Sequence, residues 1–336
     1  MKKKWNLYNI SESRGITMGI ATLLVAYFHC YKLNYTAAFN GNVFGIILDF
    51  IRGTGNVGVD LFLILSALGL YFSFSKNSDI KSFYKKRMIR ILPSVLIVAT
   101  IYYLYLKVNF ISFIKGILLI NIFTDGIRYF WYFSLIIILY LLFPLLYKII
   151  NKKGLLGLIS LLLVVVGSTI LFYIYFPNAY KNVEILITRI PVFLCGIYLG
   201  KNIFEKKEIP SWVLIPIIAI FIFVLYVLNN YKFEHYMIVR YLNMFVGFGI
   251  VFITSFIYSL FKVDFINKFL TYIGTYSMEL YLIFEKLSVE VIKARIINIK
   301  NYTLYYLIMF IISLLLSILL KKICEVIVNL IERKKA

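Results

Sequence analysis

Eleven apolar runs follow one another along the chain, at roughly 14–33, 56–75, 91–107, 111–124, 132–150, 155–176, 185–200, 210–229, 238–260, 270–292 and 302–321. Most approach the roughly 20 residues that a helix needs to cross a bilayer. A backbone surrounded by hydrocarbon must satisfy its own hydrogen bonds, which leaves helices and closed barrels as the only spanning forms. Runs of this length call for helices. Composition agrees: 62% of the 336 residues are hydrophobic, 15% are charged and the mean hydropathy is +0.89, which excludes an ordinary soluble domain.

The net charge of +21, from 36 Lys and Arg against 15 Asp and Glu, would suggest nucleic acid in a soluble protein. Here the basic residues fall between the apolar runs, where cytoplasmic placement and anionic headgroups account for them. No nucleic-acid partner is expected. The start MKKKWNLYNISESRG is basic like a signal peptide, but the apolar run after it lacks a small-residue cleavage site, so it reads as a retained first helix. Cys30, Cys195 and Cys324 are odd in number, far apart and set in apolar sequence. They imply neither a disulfide framework nor a metal site.

Basic clusters fix a topology. Lys2 to Lys4 inside place Lys76, Lys81, Lys85, Lys86, Arg87 and Arg90 inside after two crossings, and the clusters at 148–153, 201–207, 262–268 and the C-terminal end ask for the same side. Both ends agree only if one run between 91 and 150 fails to cross. The shortest, FISFIKGILLINIF at 110–123, carries Lys115 and is assigned as a re-entrant or interfacial segment. The expectation is an all-α polytopic membrane bundle of about ten transmembrane helices with cytoplasmic termini. A single membrane domain over 1–336 is expected, with no appended soluble domain and no internal repeat. Tyr129 to Phe133 are expected at the outer interface, and Pro144 and Pro191 are expected to kink their spans.

An ionisable residue within a span costs several kcal/mol unless it faces a partner or a wet cavity, so each is a candidate for function. His29 ends the first run and Asp60 opens the second, and consecutive helices are neighbours, so the two are expected to meet. A carboxylate holding one imidazole nitrogen raises the basicity of the other, which suits removal of a proton from a hydroxyl. The alternatives are a packed interfacial His29 and an Asp60 that caps its helix. In KSFYKKRMIRILP, Arg87 and Arg90 share a face if the third helix begins early, and paired guanidiniums suit phosphate oxygens. Arg189, Glu279 and Glu285 lie in later runs as further cavity candidates; Arg189 is free to snorkel and Glu285 to pair with Lys286, whereas Glu279 is deeper.

The strings SRGITMGIATLLVAYFHCYK, GVDLFLILSALGLYFS, FYKKRMIRILP, RYFWYFSLIIILYLLFPLLY, RIPVFLCGIYLGK and IGTYSMELYLIF together, in this order, resemble the acyltransferase 3 family of integral membrane acyltransferases over nearly the whole chain. The resemblance implies transfer of an acyl group, usually acetyl, from cytoplasmic acyl-CoA to a hydroxyl of a surface or exported glycan, in a multi-pass protein of the cell membrane, here a bacterial plasma membrane. It makes His29 the general base or acyl relay, and Arg14, Arg87 and Arg90 the residues matching the family's arginine elements. Asp60 would orient His29. Two positions depart from the family pattern: Ala67 stands where glycine is usual, and Phe284 and Glu285 follow Leu282 and Ile283 where a histidine is common. Donor phosphates held by arginines and a pantetheine arm extended toward His29 fit that chemistry, directly or through an acyl-histidine. A transporter or flippase of a glycan or lipid precursor is the rival.

Overall fold

The computed structural model describes residues 5–261, 263–286 and 301–333, and among them every regular element is helical. A short α1 (Tyr8–Glu12) leads into α2 (Arg14–Phe28), and α3 (Tyr35–Ala38) and α4 (Val43–Thr54) fill the connection to α5 (Val57–Lys76). Next come α6 (Ile80–Tyr105), the short α7 (Phe110–Ile117) and α8 (Asn121–Thr124), the long α9 (Trp131–Tyr175), α10 (Pro177–Ile187) and α11 (Ile190–Phe204). The chain closes with α12 (Leu214–Asn230), α13 (Tyr236–Leu260), α14 (Asp264–Thr275), α15 (Ser277–Leu282) and α16 (Tyr302–Arg333). Among the described residues, seven stretches are long and apolar enough to cross a membrane: Val57–Lys76, Ile80–Tyr105, Trp131–Tyr175, Pro177–Phe204, Ser211–Asn230, Tyr236–Leu260 and Tyr302–Ile331. The protein is an all-α polytopic membrane bundle.

The hub is α5. It is apolar on all sides, as a helix surrounded by other helices must be, and Leu61, Leu63, Ile64, Leu65 and Ala67 are wholly buried. It packs on α11, α2 and α13. Between helices in lipid, close van der Waals fit replaces the hydrophobic effect as the source of association. Ala67 lies against Gly196 of α11, which supplies the room that its methyl takes.

Several expected runs take a different form. α9 is 45 residues long because two helices, 131–153 and 155–175, join across Gly154, the residue with non-helical backbone inside it; these are the expected runs at 132–150 and 155–176. Pro144 lies within α9, whose helix runs on past it, and Pro191 occupies the first turn of α11, where a proline needs no hydrogen-bond partner. The break near Pro191 comes before it, at Thr188 and Arg189. α6 begins at Ile80, well before the apolar run, because the Asp79 carboxylate accepts from the Ser82 N–H at 2.8 Å. Residues 110–123 form two short helices, and the eight residues of α7 extend only about 12 Å, too little to cross. Lys115 there pairs with Asp125 at 2.8 Å. The run expected as one helix over 270–292 is divided at Tyr276, and its end from 287 onward lies outside the described residues.

Two further placements differ from expectation. The first helix stops at Phe28, short of the run's expected end near 33, which makes His29 its C-terminal cap. The aromatic cluster at 130–133 turns inward: Phe130, Trp131, Tyr132 and Phe133 are all buried, against Tyr102, Tyr103 and Tyr281 among others. Between α2 and α5, where a short link was expected, α4 leaves Val43, Phe44, Ile46, Ile47 and Ile51 exposed, the pattern of a helix lying along a membrane surface. Asp49 ties α4 to α3. Burial pushes its carboxyl up, but donors from Thr36 N–H, Thr36 hydroxyl and Tyr35 N–H outweigh this and hold it below the usual carboxylate range.

Candidate active site

One stripe of α2 organises the site. Arg14, Met18, Thr22, Val25 and His29 recur at spacings of four, four, three and four, which stacks them on one face. The stripe is about 22 Å long at the helical rise. Arg14 and Met18 line a cavity of about 240 Å³ at one end, and Thr22, Val25, Ala26 and His29 line a crevice at the other.

The larger cavity is the arginine end. Arg90 on α6, Tyr140 on α9, Ser66 on α5 and Tyr281 on α15 complete its wall beside Arg14. Because α6 starts early, Arg87 and Arg90 are both helical and one turn apart, as their spacing requires. Arg14, Arg87 and Arg90 all act electrostatically on the hydroxyl of Tyr140. Arg87 also stands over the ring of Phe83 at 5.6 Å, and Arg14 lies in space left by Gly69, where a Cβ would come within 2.5 Å of Nη2. The Nε of Arg14 and the Nε of Arg87 are buried without hydrogen-bond partners among the described residues. Arg90 pairs with the buried Glu279 at 3.1 Å. Three cations against one carboxylate leave this end electropositive, with buried N–H donors unspent: a setting for phosphate or another anion.

The crevice is small, about 10 Å³, which admits the centre of one water molecule. His29, Phe62, Leu280, Tyr281, Phe284 and Glu285 enclose it together with the α2 stripe. Glu285 Oε1 accepts from Lys286 at 2.7 Å, as the sequence suggested, while its Oε2 is buried with no hydrogen-bond partner among the described residues. Lys286 in turn lies over the rings of Tyr102 and Tyr129, at 5.8 and 5.5 Å. Phe284, at the position where a histidine was looked for, is buried against Phe310. Phe62 and Tyr281 line both cavities, with ring centroids 6.5 Å apart and edge to face.

Asp60 is not the partner of His29. Neither of its oxygens makes a hydrogen bond among the described residues, and Oδ1 instead lies 3.5 Å from Nη1 of Arg189, both side chains being buried. Asp60 lies in the first turn of α5, where the helix dipole favours an acid, but it makes no capping hydrogen bond. The reason is local: Pro191 forces the break after α10, Arg189 falls at that break, and a buried guanidinium recruits the nearest carboxylate. Trp131 covers the other side of Arg189, 5.1 Å from ring to guanidinium. Arg189 therefore does not snorkel outward. A second pair adjoins it, Arg240 with Glu184 at 2.7 Å, and Arg128 stands 4.0 Å from the same Glu184. Neither Arg240 nor Glu184 stood out in the sequence, although each is an isolated charge within or beside an apolar run, the signal that singled out Arg189. Tyr140 and Ser66 were missed for a plainer reason: Tyr and Ser are ordinary in such runs.

A family model described as an acyltransferase domain, Acyl_transf_3, matches residues 19–322. No curated protein and no solved structure matches the chain.

Proposed function

Because the chain belongs to the acyltransferase 3 family, we propose that it moves an acetyl group from acetyl-CoA to a hydroxyl of a cell-surface or exported glycan. The observation that carries this reading is the pair of cavities at opposite ends of one α2 face, arginines in the first and His29 in the second. The donor cavity is too small for a nucleotide, so the CoA phosphates bind at its mouth, to Arg14, Arg87 and Arg90, and the pantetheine arm runs along the α2 stripe. The unspent Nε–H groups of Arg14 and Arg87 fit this role. By the distribution of basic residues the arginine end faces the cytoplasm and the His29 end faces outward.

In the reaction the glycan hydroxyl oxygen attacks the thioester carbon, the carbon–sulfur bond breaks and an ester bond forms. His29 takes the hydroxyl proton and returns it to the departing CoA sulfur. Glu285 is the carboxylate that shares the crevice with His29, the place first expected of Asp60. Asp60 and Arg189 instead brace the junction of α5, α10 and α11. Enclosure of the thioester between helices keeps water from competing with the hydroxyl.

The test is transfer of radiolabel from acetyl-CoA to a surface glycan fraction by membranes carrying the full chain. His29→Ala is expected to lower transfer by about 10²–10⁴-fold, and Arg87→Gln to raise the KM for acetyl-CoA with a smaller change in kcat. Undiminished transfer by His29→Ala removes its role. Label that stays on CoA while the glycan fraction crosses the membrane identifies a carrier instead.

A further inference from the structure

The two cavities are separated by a thin wall. On α5, Phe62 and Ser66 are one turn apart on a shared face, yet Ser66 lines the arginine cavity alone whereas Phe62 lines both spaces. Tyr281 meets Phe62 edge to face from α15 and likewise lines both. Behind them Tyr132 stands 6.3 Å from Phe62 and 5.3 Å from Tyr281, and Phe133 stands 5.9 Å from Tyr281, so the wall is held by an aromatic collar from α9. Beyond it the crevice at His29 has room for a water-sized centre only, closed by Leu280 and Phe284.

We propose that Phe62 and Tyr281 are the residues that select the acyl group: the thioester end of the donor stops at their rings, and the water-sized crevice beyond takes the acetyl methyl and nothing longer. This rests on the acyltransferase reading given above. Each methylene that a close-fitting apolar pocket refuses is worth about 10–200-fold in discrimination. Two aromatic rings in edge contact, braced by two more, form a wall that shifts as a unit and does not stretch. Removal of the Phe62 ring merges the crevice with the cavity behind it and makes room for a longer acyl tail.

One experiment reads selectivity. Membranes carrying the full chain receive acetyl-, butyryl- or hexanoyl-CoA with a glycan fraction, and ester formation is measured for the parent, Phe62→Ala, Phe62→Leu and Ile136→Ala. Ile136 lines the arginine cavity but not the crevice, one turn along α9 from Tyr132. The acetyl-to-butyryl ratio is expected to fall at least tenfold in Phe62→Ala, less in Phe62→Leu, and to stay near the parent value in Ile136→Ala. An unchanged ratio in either Phe62 variant that still transfers acetyl overturns the proposal, as does an equal fall in Ile136→Ala.

A second experiment needs no turnover. With Cys30, Cys195 and Cys324 replaced by serine, Ser66→Cys is exposed to a charged, membrane-impermeant thiol reagent applied from the His29 face. It is expected to stay unlabelled while Phe62 is present and to react in the Phe62→Ala background. Labelling with Phe62 in place shows that no wall exists and overturns the proposal. If the parent moves no acyl group from any donor, the acyltransferase reading falls, and the thiol pattern still decides whether the two spaces are partitioned.

Discussion

Glu279 has no exposed side-chain surface, while its ion-pair partner Arg90 is 47% exposed. Such a pair is asymmetric, because losing the arginine strands a buried carboxylate whereas losing the carboxylate leaves an arginine that water can reach. Arg90→Ala is therefore expected to destabilise the protein by about 1–3 kcal/mol and to raise the KM for acetyl-CoA. Adding Glu279→Gln removes the stranded charge, so the double variant is expected to recover thermal stability in detergent but not donor affinity. Recovery of both would mean that Arg90 serves structure alone. At this scale the sequence revealed which residues matter better than which residues meet. Asp60, Arg189, Glu279 and Glu285 were legible as charges out of place in apolar sequence, Arg87 and Arg90 as a spaced pair within a basic cluster, and Arg14 only through the family resemblance. The partner assigned to Asp60 was wrong because chain order favours consecutive helices, and nothing in a one-dimensional pattern brings Arg189 back against α5.

Element boundaries decide what those residues do. His29 ends α2 as its cap, Arg189 occupies the break between α10 and α11, and Glu279 and Glu285 follow the break at Tyr276. The apolar runs were legible because a bilayer demands about 20 consecutive apolar residues; their breaks were not, because a buried break needs partners from other helices. α4 escaped notice since VFGIILDFIRGT carries too few apolar residues to span and has its own Asp and Arg. Gly154 is the exception, because it falls between the runs expected at 132–150 and 155–176, and it is found with φ +57° and ψ −128°. A side chain there strains the backbone by about 1–3 kcal/mol, although no neighbour lies within 4 Å of the added carbon. Gly154→Ala is accordingly expected to lower the unfolding midpoint measurably, and Gly154→Pro more so, with little change in donor KM, since the turn lies far along α9 from Tyr132 and Tyr140. A midpoint equal to the parent's would show that the two halves rejoin as one straight helix at no cost.

For the whole molecule, the decisive dimension is the length of α2. Its 15 residues extend about 22 Å, less than the roughly 30 Å of a hydrocarbon core, so Arg14 and His29 cannot both stand at the membrane surfaces. Each lies in a recess walled by other elements, α14 packing along α2 and the α3–α4 hairpin closing over the far end. The shortness is useful. It brings the guanidiniums and the imidazole within the span that one extended thioester arm of the proposed donor would cover. The same geometry requires the two mouths to open on opposite faces, a claim that can be checked without any substrate. In a background lacking the three native cysteines, Lys32→Cys, exposed just beyond His29, is expected to react with an impermeant thiol reagent in intact cells, whereas Lys85→Cys, exposed near Arg87, is expected to react only once the cells are opened. Labelling of both from one face would place the arginines and His29 on the same side, and no acyl group would then need to pass through the bundle.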